Sequence, residues 1–460
     1  MRQFPCPAIR RSSLVCVLVL AGAGPAHAGN WPRWRGPDGT GVSQETGLPT
    51  AWSEADGLVW KCDLPEWGNS SPVVWGDAIF VTAQKDDELL LVKLSKKSKG
   101  IEWTRQAGSG KTKVANYGFK PPGERGSQAF HATQNLASPS AATDGDIVAA
   151  HFGNGDLAAY DFAGNRLWAR NLQEDHGTYT IWWGHANSPV IHGDLVISVC
   201  MQDSMKDVWE KPAQSYVVAH EKRTGKEKWK TLRMTGATSE PCDAYTTPMF
   251  HSTPDGTEMI VVGGTWIDAY EPATGKQLWC LPGTGGNRTI TGPALGNGML
   301  YTTVGMRGPL LAVKLGGKGE LPQESVAWRY SQSTPDSASP VVWGDLVFMV
   351  NDGGFATCLD AKTGERHWKE KLSGDHRASP VAAEGRVYFL NTAGLTTVVA
   401  ASPRFEKVAE NKIGDTTIAS PAISDGCMYL RGKKALWCVG RKVDSQQSTV
   451  DSTEPGGGGG

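Results

Sequence analysis

The sequence predicts an all-β fold, an eight-bladed β-propeller of four-stranded antiparallel blades, on three observations. A small residue followed by proline opens an apolar stretch eight times, at Ser71-Pro72, Ser138-Pro139, Ser188-Pro189, Thr247-Pro248, Gly292-Pro293, Ser339-Pro340, Ser379-Pro380 and Ser420-Pro421. Successive prolines lie 67, 50, 59, 45, 47, 40 and 41 residues apart, and the shortest steps match the roughly 40 residues of one propeller blade. The chain holds 18 tryptophans but only 8 % aromatic residues, so its ring content is concentrated in one residue type that recurs by repeat.

Each element follows from local chemistry. In the clearest repeat, residues 338–368, Ser339-Pro340 starts an inner strand, a position where proline is tolerated because no ladder donor is needed. Gly344-Asp345 turns the hairpin, Leu346 to Val350 forms the second strand, Gly353-Gly354 turns again, and Phe355 to Leu359 alternates as a third strand. The turn from Asp360 to Gly364 combines an aspartate that accepts backbone amides with a glycine free to take positive φ, and Trp368 opens the outer strand.

The same Thr-Gly-to-Trp element recurs at Thr224-Gly225 to Trp229 and Thr274-Gly275 to Trp279, and loosely at Gly164-Asn165 to Trp168. Trp103 and Trp328 hold the matching place in two further repeats. One large ring per blade, packed on the adjacent sheet, explains this spacing as blade docking, because aromatic burial dominates core energetics. The repeat that begins at Pro380 reaches Phe405 to Val408 where its tryptophan is due, so that blade is expected to dock most weakly.

The last repeat, Ser420 to Gly440, is long enough for three strands only, while Gly57 to Leu64 supplies an orphan strand carrying Trp60. Pairing the two completes blade eight and removes a free edge between first and last blades. Cys62 and Cys438 then fall on neighbouring strands, where a closing disulfide is one expectation and buried thiols the other.

The expected organisation is a signal peptide at 1–28, a lead-in segment at 29–56, the propeller at 57–443 and a disordered glycine-rich tail at 444–460. Arg10-Arg11, the apolar run Leu14 to Ala21 and the small-x-small triplet Ala26-His27-Ala28 form an export signal cleaved near Ala28, which implies a periplasmic or secreted protein. The apolar run is shorter than the ~20 residues that span a bilayer, and no lipobox cysteine follows it, so neither a transmembrane nor a lipid anchor is expected. Without residues 1–28, Lys+Arg falls from 46 to 43 against 47 Asp+Glu, because Arg2, Arg10 and Arg11 leave. A net charge near −4 argues against a nucleic-acid partner. Seven cysteines remain, an odd number that leaves at least one unpaired within a chain. A monomer is expected.

Catalytic strings are scarce. Gly108 to Thr112 has part of a phosphate-binding loop, but Arg105 stands where its first glycine belongs. His-Glu-x-x-His, paired Cys-x-x-Cys and Gly-x-Ser-x-Gly signatures are absent. His131, His176 and His185 lie in loops ahead of strands; they read as hydrogen-bonded loop residues, and no metal site is predicted.

The Ser-Pro starts, the Gly-Asp hairpins and the run from Ala269 to Trp279 resemble the PQQ-like β-propeller repeat family, the superfamily of BamB-like and quinoprotein-like propellers. The resemblance covers about residues 57 to 441, and Trp31 to Ser43 is similar to the lead-in of single-domain members. Quinoprotein dehydrogenases in this superfamily set adjacent cysteines against the quinone and use a calcium-bound site with a catalytic aspartate. This chain has no Cys-Cys pair, so neither PQQ nor Ca²⁺ is predicted as a cofactor.

Residues just ahead of the inner strands are expected at the mouth of the central channel: Trp67, Asn69, His185, Asn187, Tyr245, Arg288, Asp336, Arg377 and Asp415. Convergent polar groups of this kind suit a small polar ligand, a sugar or a peptide. Three long connections stand out as well, Gly108 to Asn135, Met201 to Gln214 and Gly316 to Val326, since long loops tend to bind something or move. The expected role is a binding or assembly module in the bacterial envelope that engages a protein, a peptide or a small polar ligand. The alternative is a quinone-dependent oxidoreductase or a carbohydrate-active protein.

Overall fold

The computed structural model describes residues 29–114, 128–202 and 214–440. The expected signal peptide, the tail, Tyr117 and Phe119 of the first long connection and Met205, Trp209 and Pro212 of the second lie outside the described residues.

Eight antiparallel sheets surround one axis. The repeat read most clearly from sequence forms Val341–Trp343, Leu346–Val350, Phe355–Asp360 and Arg366–Lys371, so its outer strand begins two residues ahead of Trp368. Blade eight is completed as expected. Leu58–Asp63 pairs antiparallel with Ala435–Gly440, which is followed inward by Cys427–Arg431 and Ala422–Ser424.

At the axis, the residue opening each inner strand donates its backbone N–H to the hydroxyl of the next blade. Ser71 donates to Ser140 Oγ (2.8 Å), Ser140 to Ser188 Oγ (2.9 Å) and Ser188 to Thr247 Oγ1 (3.3 Å). Gly292 donates to Ser339 Oγ (2.8 Å), Ser339 to Ser379 (3.0 Å), Ser379 to Ser420 (3.0 Å), and Ser420 closes the circle on Ser71 (3.1 Å). Seven of eight links form; the break lies between Thr247 and Gly292, which has no hydroxyl. Blade two enters this ring through Ser140, not Ser138, because its inner strand is Ala142–Thr143, which moves the repeat mark two residues past the Ser138-Pro139 dipeptide.

At the rim, docking is a tryptophan-to-turn contact. The indole N–H of Trp103, Trp168, Trp229, Trp328 and Trp368 donates to a carbonyl in the next blade's outer hairpin, on Phe162, Lys222, Pro272, Ala361 and Ser402, at 2.8–3.1 Å. The turn glycine lies flat against that indole. A Cβ on Gly225, Gly275 or Gly364 would sit 2.6, 2.4 or 2.6 Å from ring atoms of Trp168, Trp229 or Trp328, and all three residues have positive φ. Trp60 is buried on the outer strand of blade eight, with its ring 6.0 Å from that of Tyr429 in the same blade.

Trp279 is the exception. The stretch Gly316 to Val326 reroutes the blade-five turn and adds Gly319–Glu320 as a fifth, parallel strand on blade four. The Trp279 N–H then bonds Glu258 Oε2 (3.1 Å) of its own blade, and Leu321 joins its apolar cluster. In the repeat lacking its tryptophan, Ala409 occupies the docking position opposite Val398. The lead-in makes good the loss: Trp52 is buried in the same cluster, with its backbone N–H on Asn411 Oδ1 (2.9 Å).

The expected Cys62–Cys438 disulfide is absent. Register places Cys62 opposite Leu436 and Trp60 opposite Cys438, and all seven cysteines of the described residues are free thiols. Closure rests on the paired N-terminal strand and a shared apolar cluster of blades one and eight, with polar latches added. Buried Arg431 of blade eight donates to the Ser70 carbonyl (3.0 Å) and to Thr82 of blade one, and Lys96 reaches Asp425 (2.7 Å).

Trp168→Ala is expected to cost ~3–5 kcal/mol, as truncating a buried large aromatic does, and Gly225→Ala is expected to be destabilising through positive φ and the indole clash. Both act on one contact, so the double variant should lose clearly less than the sum. Urea unfolding of the four proteins checks this, and strictly additive losses would show that ring and turn are independent.

Candidate functional site

The lead-in turns the channel into a cup. It runs along the face that carries the inner hairpins: Trp31 exchanges backbone hydrogen bonds with Val74 (2.8 Å each), Asn30 accepts from Gly76 N (2.8 Å) and Gly41 bonds Ala382 (2.9 Å). Arg35 is fully buried and donates to the carbonyls of Pro293 (2.8 Å), Thr40 (2.6 Å) and Pro340. Burial without a carboxylate lowers its pKa to about 9. Its neighbour Trp34 enters the channel at the gap in the hydroxyl ring, where a Cβ on Gly292 would lie 2.6 Å from the indole. The missing hydroxyl thus makes room for the plug.

Above Trp34 lies a cavity of about 410 Å³ whose wall includes the ring hydroxyls of Ser71, Ser140, Ser188, Thr247, Ser379 and Ser420. Of the residues expected there, Asn69, Tyr245, Arg288, Asp336 and Arg377 line it. The other four lie elsewhere. His185 is fully buried, stacked on Tyr179 (4.9 Å, 19°) with Nε2 3.1 Å from the Val199 carbonyl. Asn187 is buried and donates to Thr246 O (2.7 Å). Asp415 accepts from the amides of Thr416, Lys434 and Ala435 and shapes a turn. Half-buried Trp67 carries Lys433 over its ring at 5.1 Å.

An arc of charge crosses the mouth. Arg288 bridges Glu240 (2.9 Å) and Asp336 (3.1 Å), and Arg377 pairs with Asp352 (3.2 Å). Burial pulls the Arg288 pKa down, but Asp336 and Glu240 outweigh it and leave the group above its usual value. Burial raises the pKa of Asp336 and Asp352 against the pull of their arginines. Asp336 Oδ1 is buried and has no hydrogen-bond partner among the described residues.

Sequence reasoning missed Trp34, Trp183, Asp352 and Ser337. Asp352 and Trp183 carry no repeat signal, since one sits in a second-to-third-strand turn and the other in a blade connection. Trp183 donates its indole N–H to Glu240 (3.4 Å), and its ring meets that of His131 edge-on at 6.1 Å. His131 itself is tied to Thr133 (2.7 Å) within the cavity wall.

The buried histidines make stability depend on pH. Burial lowers the pKa of His185 and His376 to about 4 and drives His151 well below its ordinary 6.5. Between about pH 4 and 6.5 the unfolded chain therefore holds more protons than the folded one, so stability rises with pH across that window and falls as pH drops through it. Denaturant midpoints at pH 7.0 and 4.5 are expected to show a clear loss at the lower value; equal midpoints would contradict neutral buried imidazoles.

The sequence profile of the family described as Outer membrane protein assembly factor BamB matches residues 35–206 and 320–437, well over half of the chain. No curated protein matches it. Among solved structures, BamB from Moraxella catarrhalis superposes with a TM-score of 0.55 at 13 % identity, covering 84 % of this chain and 97 % of that one. Quinohemoprotein alcohol dehydrogenase from Comamonas testosteroni gives 0.60 at 13 % identity, covering 90 % and 81 %. A europium-containing methanol dehydrogenase gives 0.57 at 13 % identity, covering 87 % and 89 %. At these identities the structural likenesses establish the propeller fold alone. The sequence match goes further, and on it the chain belongs to the family of the outer membrane protein assembly factor BamB.

Proposed function

We propose that this propeller is an exported binding module of the bacterial envelope that holds an extended, amine-bearing peptide segment of a protein partner at the channel mouth. The observation that carries the reading is the one-ended cup, closed below by Trp34 and Arg35, with the unpartnered Asp336 oxygen on its wall. A buried carboxylate oxygen without a donor is costly to keep, and a ligand N–H relieves it. The arc Glu240–Arg288–Asp336 and Asp352–Arg377 alternates in sign, which suits a peptide backbone with charged side chains better than a compact anion. The described end of the first long connection contributes His131, Thr133 and Gln134 to the cavity wall.

Membership of the BamB family supports a protein partner and an envelope location, as does the export signal read from sequence. Among the described residues no helix is long and apolar enough to cross a membrane.

The quinone-dependent alternative draws on the likeness to quinohemoprotein and methanol dehydrogenases. The cavity residues do not fit PQQ with Ca²⁺. Calcium takes six to eight converging oxygens, whereas Asp336 and Asp352 are each held by an arginine, and no cysteine lines the wall.

Fluorescence anisotropy of the full chain with labelled lysine-rich and glutamate-rich peptides tests the proposal. The lysine-rich peptide is expected to bind, with Asp336→Asn weakening it about tenfold or more, the scale of a lost charged hydrogen bond. Dye-linked alcohol oxidation on addition of PQQ and Ca²⁺, without peptide binding, would instead establish the oxidoreductase. Binding of sugars alone would establish a carbohydrate-active protein.

A further inference from the structure

Blade three carries a polar side chain where most other blades carry an apolar one. At the bulge that precedes each docking turn, the third strand presents Tyr160, Tyr270, Val313, Leu359 or Val399 in blades two, four, five, six and seven. In blade three the same place, opposite Glu227, is His220. Its side chain is fully buried, and neither ring nitrogen has a hydrogen-bond partner among the described residues. Leaving buried polar atoms unsatisfied costs ~1–3 kcal/mol, and blade packing does not require it, since Val313, Leu359 and Val399 fill the slot with carbon and Tyr160 places its hydroxyl on the Gln106 carbonyl (3.1 Å).

The adjacent connection is also unusual. It contains the one α-helix among the described residues, Leu172–His176, whose N-cap Asn171 accepts from Gln173 N and Glu174 N. That single turn brings Asp175 and His176 over His220. The three side chains each offer a ligand atom, and these lie within 4.8 Å of one another. His176 Nε2 is buried without a hydrogen bond, and Glu227 Oε2 stands 3.6 Å from it.

The geometry points to a site for a divalent transition-metal ion of the zinc class, held by Asp175, His176 and His220 with Glu227 as the fourth ligand, pinning the blade-two exit helix to blade three. Two imidazoles with carboxylates suit zinc and its neighbours, not calcium or magnesium. Ligands 2.0–2.1 Å from a tetrahedral zinc stand about 3.3 Å apart, so atoms now up to 4.8 Å apart must close by up to about 1.5 Å; the solvent-facing Asp175 and Glu227 have room to do this and leave an entry path. Two cations adjoin the site. Arg170 Nε donates to Asp175 Oδ2 (2.8 Å), which leaves the other oxygen for the ion and orients the carboxylate as an outer-shell partner does. Lys230 Nζ lies 3.4 Å from His176 Nδ1 and over the Tyr216 ring at 5.0 Å. Metal binding through Nε2 places the proton on Nδ1 and displaces that long contact.

The test is titration of the chelator-stripped full chain with Co²⁺, read by its visible absorption, followed by Zn²⁺ displacement and a thermal scan with and without Zn²⁺. The expected result is one equivalent of Co²⁺ with the absorption of a tetrahedral site, lost on adding Zn²⁺, and a higher Tm with Zn²⁺. His220→Leu, which installs the blade-six residue, should weaken binding by more than the ~10–100-fold that loss of an outer-shell partner costs, while the metal-free Tm stays equal or rises. His176→Gln gives the same reading if His220→Leu does not fold. No Co²⁺ spectrum with the native chain, or undiminished binding by the variant, would overturn the site; the second outcome would place the ion elsewhere, for example on the free thiols.

Discussion

Eight strands converge on one axis, and each begins with a backbone N–H that no sheet ladder reaches. Buried amides need acceptors, and here the hydroxyl of the next blade supplies one. This requirement explains why serine or threonine marks the inner strands and why the blades lock into a closed circle. It also accounts for the one deviation. Where Gly292 interrupts the ring, the space of a side chain is given to Trp34, so a gap in the hydrogen bonding becomes the floor of a cup.

The rim is held by a different interaction with the same directionality. An indole N–H reaches a carbonyl of the following turn, and a glycine without Cβ lets the ring lie flat on that turn. Seven polar links at the axis and five at the rim thus bind blades to their successors, set in apolar packing. Departures are covered from elsewhere in the chain: Trp52 shields the blade that has Ala409, and Gly319–Glu320 covers the edge beside Trp279. Such compensation keeps a circular array from opening at its weakest joint, since each repeat contacts only its neighbours.

The scaffold leaves one end of the channel for recognition. Charged side chains there come from connections between blades and, for Asp352, from a turn within one, where the repeat leaves residue identity free. That freedom is why charged pairs and the unpartnered Asp336 oxygen gather at the mouth, whereas the walls below it are hydroxyl and aliphatic. The His220 cluster is a second break in the repeat, at a blade junction away from the axis. In both places an unsatisfied polar atom interrupts otherwise regular packing, as functional sites commonly do.

By itself the sequence determined the blade count, the strand order within a blade, most of the docking tryptophans and, from a last repeat one strand short, the closure of blade eight by the N-terminal strand, because these follow from a local pattern that recurs along the chain. Asn69, Tyr245, Arg288, Asp336 and Arg377 were legible because they lie within a few residues ahead of the small-residue–proline starts. His185, Asn187 and Asp415 also lie just ahead of those starts, yet their side chains turn into packing or a hairpin, and only the fold of each connection sets that direction. The tertiary structure alone decided that Ser140 is the ring residue of blade two, that Cys62 faces Leu436, that Trp34 and Arg35 plug the channel and that His176 meets His220. Those contacts join segments tens to hundreds of residues apart. No local periodicity encodes them; they arise from the space and the unmet hydrogen bonds that remain once the blades have closed.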